Sequence, residues 1–329
     1  MKKMITIILV CLLAAGMLAA CGGGDTSGNP SADAPATNEP APTAPATTEP
    51  ATSEPEEDEP EEDEPEVPAT TGPISVVTRE DGSGTRGALV EIVDITVDGN
   101  DNITVEAEVA PGTSVMLTSV AENPMAIGYA STGVSLADDR VKVLSINGIA
   151  PTVENMLSGA YAIQRPFLIG YNTEDGLSEL AQDFVDFILS TQGQTVVSDR
   201  GYVPVIPTGA PEYTGSGLTG QIVINGSSSL YSLMQRLSEA YREINPGVRI
   251  DIHGAGTGHG ITAVREGLAD IAMSSRDLRE SELEFLTPLD IAIDGIAIIV
   301  HPSNSTDNLS LDQVRDIFLG EVERWENTQ

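Results

Sequence analysis

Cysteine, histidine and positive charge are scarce in this chain. Of its 329 residues only Cys11 and Cys21 are cysteines. Cys11 lies in an N-terminal apolar run of the kind removed on export. The remaining chain would carry one thiol, which excludes an internal disulfide and a cysteine zinc cluster. The histidines, His253, His259 and His301, have no partners spaced for a metal site or a Ser–His–acid triad. His253 ends a β run and reads as structural, and the single tryptophan, Trp325, is expected to pack in a loop. Lys and Arg number 16 against 50 Asp and Glu, a formal net charge of −34. That leaves no basic footprint and excludes nucleic acid as a partner. Long apolar runs are also missing. The longest, Ile5 to Leu18, is short for a membrane span.

The N-terminus has the layout of an export signal: Lys2 and Lys3, then the apolar run, then Leu18-Ala19-Ala20-Cys21-Gly22. Small residues before a cysteine have the pattern of a bacterial lipobox. Residues 1–20 are expected to be a lipoprotein signal peptide, cleaved before a lipidated Cys21. An ordinary secretory signal is the alternative. Residues 21–72 are rich in Pro, Thr, Ala, Glu and Asp, with 14 acidic residues and no Lys or Arg between positions 25 and 72. Such a segment cannot build a core. Proline and self-repulsion keep it extended, as a tether. An O-glycosylated stalk and a calcium-binding acidic run remain open alternatives.

Beyond Gly72, short β runs alternate with helical patterns, which is the mark of an α/β fold. Strands are expected near Ile74–Thr78, Ala126–Tyr129, Val141–Ile146, Phe167–Tyr171, Gln221–Ile224, Arg249–His253, Asp270–Met273 and Asp294–Val300. Helices are expected over Leu177–Leu189, Leu230–Ile244, Ile261–Glu266 and Leu311–Phe318. The stretch Arg79-Glu80-Asp81-Gly82-Ser83-Gly84-Thr85 joins the first strand to an apolar helical run from Ala88. Glycines allow close backbone approach, and a helix start presents N–H groups with the positive end of the dipole behind them. Ser83 and Thr85 add hydroxyls, and Arg79 adds a fork of N–H donors. The device suits a small tetrahedral anion; a plain Gly-Ser turn with an N-cap serine is the simpler alternative.

Three more strand-to-loop junctions carry small hydroxylated residues: Asn225-Gly226-Ser227-Ser228-Ser229, His253-Gly254-Ala255-Gly256-Thr257-Gly258, and Ser274-Ser275-Arg276. The C-terminal edge of an open α/β sheet is where ligands bind. The order GSSS, GxGTGxGI, DIAMSSR and DGIAIIV resembles one half of the phosphate-binding proteins of ABC importers, the PstS family. VVTREDGSGTRGAL, NPMAIGYAS, RPFLI and FVDFILSTQGQ resemble the other half. The halves stand in the reverse of the family's usual order. The C-terminal Gly320–Asn327, with Trp325, resembles the loop that normally joins them.

The resemblance implies an α/β, two-lobed, periplasmic-binding-protein-like type II fold with a two-strand hinge, circularly permuted, its old ends tied by about Ile206–Gly220. A fragment of a tandem array is the rival reading. One lobe would be 73–166 completed by 301–329, the other 167–300, with the hinge near Gln164–Phe167 and Ile298–Pro302. Phosphate contacts are implied for Arg79, Asp81, Ser83, Gly84, Thr85, Ser228, Ser229, Thr257 and Ser275, with Asp81 holding Arg79. Some family members carry aspartate where Ser275 stands, which leaves open what accepts the proton of hydrogen phosphate. Arg276 is left to pair with Asp277 or with the other lobe. The implied partners are inorganic phosphate, a permease with its ATPase, and the outer face of the membrane through Cys21. A monomer without cofactor, metal or catalytic set is expected. A sensor without a transporter, or a receptor for sulfate, molybdate or tungstate, is the alternative. An enzyme on this scaffold would lack its nucleophile, base and metal.

Overall fold

A computed structural model describes residues 69–97 and 100–328 of the chain. The signal peptide, Cys21 and the tether up to position 68 lie outside the described residues. The described residues fall within one compact unit, Asp63–Gln329.

The first lobe starts with β1 (Ser75–Arg79), whose Val77, Thr78 and Arg79 are buried, followed by α1 (Gly84–Ile92). Ser83 caps α1 by accepting the Arg86 N–H at 3.3 Å. Next come β2 (Glu108–Ala110), α2 (Thr113–Glu122) and β3 (Ala126–Ser131). Both β2 and β3 run parallel to β1. All six residues of β3 are buried, as befits a strand covered on both faces.

The chain then enters the second lobe along β4 (Gln164–Asn172) and forms α3 (Glu179–Ile188) and α4 (Thr191–Asp199). Ala181, Phe184, Val185, Phe187 and Ile188 line the buried face of α3. The connection over 205–219 leads to β5 (Gly220–Gly226), α5 (Tyr231–Ile244), β6 (Val248–His253), α6 (Thr257–Arg265) and β7 (Ile271–Ser274). Strands β5, β6 and β7 are parallel, in the order β6-β5-β7, and β7 pairs antiparallel with β4.

The fifteen-residue strand β8 (Leu286–Val300) serves both lobes. It pairs with β4 from Leu286↔Asn172 to Gly295↔Gln164. From Ile296↔Ser131 to Val300↔Ile127 it pairs with β3 instead. The crossing therefore lies at Gly295–Ile296, where Ile296 donates its N–H to the Ile163 carbonyl at 2.8 Å. This corrects the expected boundaries: residues 296–300 belong to the first lobe, and the crossing is not at 298–302. The reason is burial. Ile296 to Val300 sit in the first hydrophobic core with Val77, Leu89, Ile127 and Phe318. Ile291 and Ala292 sit in the second with Phe167, Phe184, Leu237 and Tyr241.

The chain returns to the first lobe with α7 (Leu311–Leu319), opened by a Ser310/Gln313 capping box and closed by Gly320 at φ 81°. Its last described residues lie beside the start of β1. Ile74 donates to the Glu323 carbonyl at 2.8 Å and Trp325 to the Gly72 carbonyl at 3.0 Å. Trp325 is fully buried in the first core, its indole N–H on the Met125 carbonyl at 3.1 Å. The connection is tied down as well. The Asp183 carboxylate accepts from the hydroxyls of Tyr213, Ser216 and Tyr241 at 2.6, 2.7 and 2.6 Å. Both halves pair with each other within the described residues. Among the described residues no helix is long and apolar enough to cross a membrane.

Candidate functional site

Every loop singled out in the sequence leaves the C-terminal end of a parallel strand, and the two-strand crossing turns the two sets of loops face to face. Arg79 ends β1 and is only 1% exposed. Its Nε and Nη2 donate to the two carboxylate oxygens of Glu80 at 2.8 and 2.7 Å. Nη2 also donates across the cleft to Ser228 Oγ at 2.9 Å. Thr85 Oγ1 and Ser229 Oγ lie 2.8 Å apart, and Ser227 Oγ donates to Ser275 Oγ at 2.9 Å. Ser275 N–H points to Thr257 Oγ1 at 3.3 Å, and Gly258 N–H donates to the Gly82 carbonyl of the opposite lobe at 3.1 Å. Ser83, Gly84, Thr85, Ser229, Thr257 and Ser275 are all buried.

At Gly84 the two lobes are in tight contact. A Cβ there would collide with Thr257 Oγ1 and Ser275 Oγ. The helices α1, α2 and α6 all start at this meeting point, so their N–H groups and positive dipole ends converge with the hydroxyls.

The structure brings together Arg79, Ser83, Gly84, Thr85, Ser228, Ser229, Thr257 and Ser275, and leaves Asp81 out. The Asp81 side chain is fully exposed and pairs with Arg86 at 3.2 Å. Glu80 holds Arg79 in its stead, because the turn after β1 directs Glu80 inward and Asp81 to solvent. Burial pushes the Glu80 carboxyl up, but Arg79 and backbone donors including Gly112 N–H outweigh it and hold the group below its ordinary value. Arg276 likewise pairs with Glu282, through two contacts of 2.8 Å, and donates to the backbone carbonyl of Asp277 at 2.7 Å.

Besides Glu80, three groups escaped the sequence reading. Thr113 Oγ1 starts α2 and lies 3.2 and 3.3 Å from the Ser228 and Ser229 hydroxyls. Its signal was Pro111-Gly112-Thr113 after a short strand, a junction like the others. Tyr129, fully buried and pushed up to about 12 mainly by burial, binds the Arg79 backbone N–H at 3.1 Å through its hydroxyl. The third is a buried ion pair behind the site. Arg165 Nη2 and Nε donate to Asp294 Oδ2 at 2.8 and 3.1 Å. Ser131 and Thr132 donate to Oδ1 at 2.9 and 3.0 Å.

A cavity of about 510 Å3 opens beside the site, lined by Thr113, Val115, Ser228, Tyr231 and the exposed His253. Among the described residues no three His, Cys, Asp or Glu side chains gather as a metal site. The ring is rich in donors and has one guanidinium. Such a set complements a small tetrahedral oxyanion.

Comparison with known proteins places the family. A family model described as a PBP superfamily domain matches residues 61–192 and 211–329. Phosphate-binding protein PstS 2 of Streptococcus pneumoniae serotype 4 is 43% identical over 262 residues, covering 78% of this chain and 88% of that protein. The chain belongs to the PstS family of the PBP superfamily. The crystal structure of a phosphate ABC transporter's phosphate-binding protein from S. pneumoniae TIGR4 shares 42% identity at a TM-score of 0.63. It covers 78% of this chain and 100% of that one. The PstS of Pseudomonas aeruginosa matches over only 125 residues at 34% identity, 35% of this chain and 39% of that protein. Within the PstS family, then, the streptococcal relative aligns through both halves in the order found here. The Pseudomonas match has about the length of one half.

Proposed function

We propose that this PstS-family chain captures inorganic phosphate between its lobes and hands it to the permease and ATPase of an ABC importer. It does so from the outer face of the membrane, held by a lipid on Cys21. It works by binding alone. The observation that carries this reading is the Arg79 fork, held by Glu80 in one lobe and reaching Ser228 in the other. An oxyanion placed among Arg79, Ser83, Gly84, Thr85, Ser228, Ser229, Thr257 and Ser275 ties the lobes together, so ligand binding favours the closed form that a permease reads. Hydrogen phosphate must also donate a proton. Asp81 faces away, so the acceptors within the ring are hydroxyl oxygens. The reversed order of halves is read as a circular permutation, supported by the pairing of residues 72–74 with 323–325 and by the half-length Pseudomonas match. Surface ends that lie together make such a rearrangement tolerable.

The test is calorimetric titration of ligand-stripped protein with phosphate, sulfate and molybdate. One-to-one phosphate binding is expected, with sulfate silent. Arg79→Met should weaken it about 100-fold, the worth of one or two charge-assisted hydrogen bonds. Absence of phosphate heat from the folded protein would sink the reading. A second reading, a receptor for a fully ionised oxyanion, draws on Ser275 standing where a carboxylate would accept a proton. Sulfate or molybdate heat in the same titration would establish it.

A further inference from the structure

We propose that the buried Arg165–Asp294 pair is a positioning device of the anion site, retained for ligand affinity rather than for stability. The inference rests on the phosphate reading above. Both side chains are essentially sealed from water, at 1% and 0% exposure. Asp294 lies on β8 immediately before the crossing at Gly295–Ile296, and Arg165 lies beside it on β4. The carboxylate gathers Ser131 and Thr132 from the end of β3 in the first lobe. The guanidinium reaches the other way: Arg165 Nη1 donates to the Ser275 carbonyl at 3.2 Å. Ser275 in turn holds the Ser227 and Thr257 hydroxyls. One pair therefore joins the crossing, the first lobe and the anion-facing loop of the second.

Its orientation matters as much as its contacts. Arg165 Nη1 reaches the Ser275 carbonyl, so the positive end of the pair faces the site. Asp294 turns the other way, to the Ser131 and Thr132 hydroxyls of the first lobe. Burial pushes Arg165 down and Asp294 up, each opposed by its partner. A buried pair of this kind seldom adds net stability, because desolvation offsets the attraction. A hydrogen bond to the Ser275 carbonyl also polarises the peptide chain that presents the site's donors. Both features point to ligand binding as what the pair serves.

The test uses the intact protein and two variants, Arg165→Met/Asp294→Leu and Arg165→Lys. The first replaces the pair by apolar groups. The second keeps the charge but shortens the reach to Ser275. Each is titrated with phosphate, sulfate and molybdate, and its ligand-free melting curve is recorded. The wild-type titration tests the phosphate reading. The variant-to-wild-type ratio, taken for whichever of these anions the wild type binds, tests the pair. At least a tenfold weakening is expected in both variants, with ligand-free melting temperatures within a few degrees of wild type. Binding within twofold of wild type in either folded variant overturns the proposal, as does lowered melting with unchanged binding. If the double variant fails to fold, Arg165→Lys decides. A wild type silent to all three anions overturns the proposal together with the phosphate reading.

Discussion

Glu80 and Gly84 do the most with the fewest atoms. Glu80 accepts both Arg79 donors and the Gly112 N–H at 3.0 Å, so one carboxylate fixes the charged fork and the start of α2. Its folded pKa is depressed, so its contribution is complete above the ordinary carboxylate range and is lost as pH falls through the depressed value. Anion affinity should therefore drop on acidification below about pH 4, near the unperturbed value. Glu80→Gln should lose that acid limb and bind about tenfold more weakly at neutral pH; calorimetry across pH 3–8 checks both. Gly84→Ala is expected to separate folding from binding. Alanine favours the helix by about 1 kcal/mol over glycine, yet its methyl would strike Thr257 and Ser275 in the closed lobes. Ligand-free melting should hold or rise while affinity falls at least about 100-fold, about 2.7 kcal/mol. Had Glu80 been judged by spacing alone, Asp81 would have kept its assigned place. The two differ only in which way one turn directs adjacent side chains.

Strand β8 sets the geometry at the next scale, and Gly295 is its weak point. A Cβ there would lie 2.6 Å from Thr132 Cγ2 and 2.8 Å from Met156 Sδ, both in the first lobe. Gly295→Ala should cost about 1–3 kcal/mol by overpacking, visible as a lower urea midpoint with an unchanged slope. Much at this scale was legible. Strands β1, β5, β6 and β7 and the helices α3, α5 and α7 followed from alternation and apolar stripes, because burial and periodicity agree there. Helices α2 and α4 did not. Thr113–Glu122 is rich in Thr, Ser and Val, and Thr191–Asp199 lacks a continuous apolar stripe. Tertiary packing overrides propensity in both: Met116, Leu117 and Val120 enter the first core, and Gly193 lies against the Phe187 and Ile188 carbonyls. Missing α2 also hid Thr113. The Arg165–Asp294 pair had no local signal at all, since its members lie 129 positions apart.

The described molecule closes on itself in two senses, lobe on lobe and the start of β1 on the C-terminal segment. The seam at Gly72–Trp325 includes Glu326, which accepts the Gly72 N–H at 2.9 Å and pairs with Arg324, lowering its pKa to about 2. Its hold on the seam should be full near neutral pH and fade as pH falls from about 4 toward about 2; amide exchange at Gly72 reports it. If the order of halves is a permutation, a chain opened within 207–210, with residues 1–71 removed and residue 72 joined to the C-terminal segment, should fold and bind phosphate within about threefold of the parent, since few contacts cross such a surface site. A reopened chain that unfolds would contradict that history. The seam has a practical corollary. From Ile74 at the seam, β1 delivers Arg79 to the cleft five residues later, about 17 Å away at strand rise. A bead, a dye or a second protein attached at the seam itself would sit at the end of β1 opposite the cleft. The molecule could thus be mounted as a reagentless anion sensor with its mouth unobstructed.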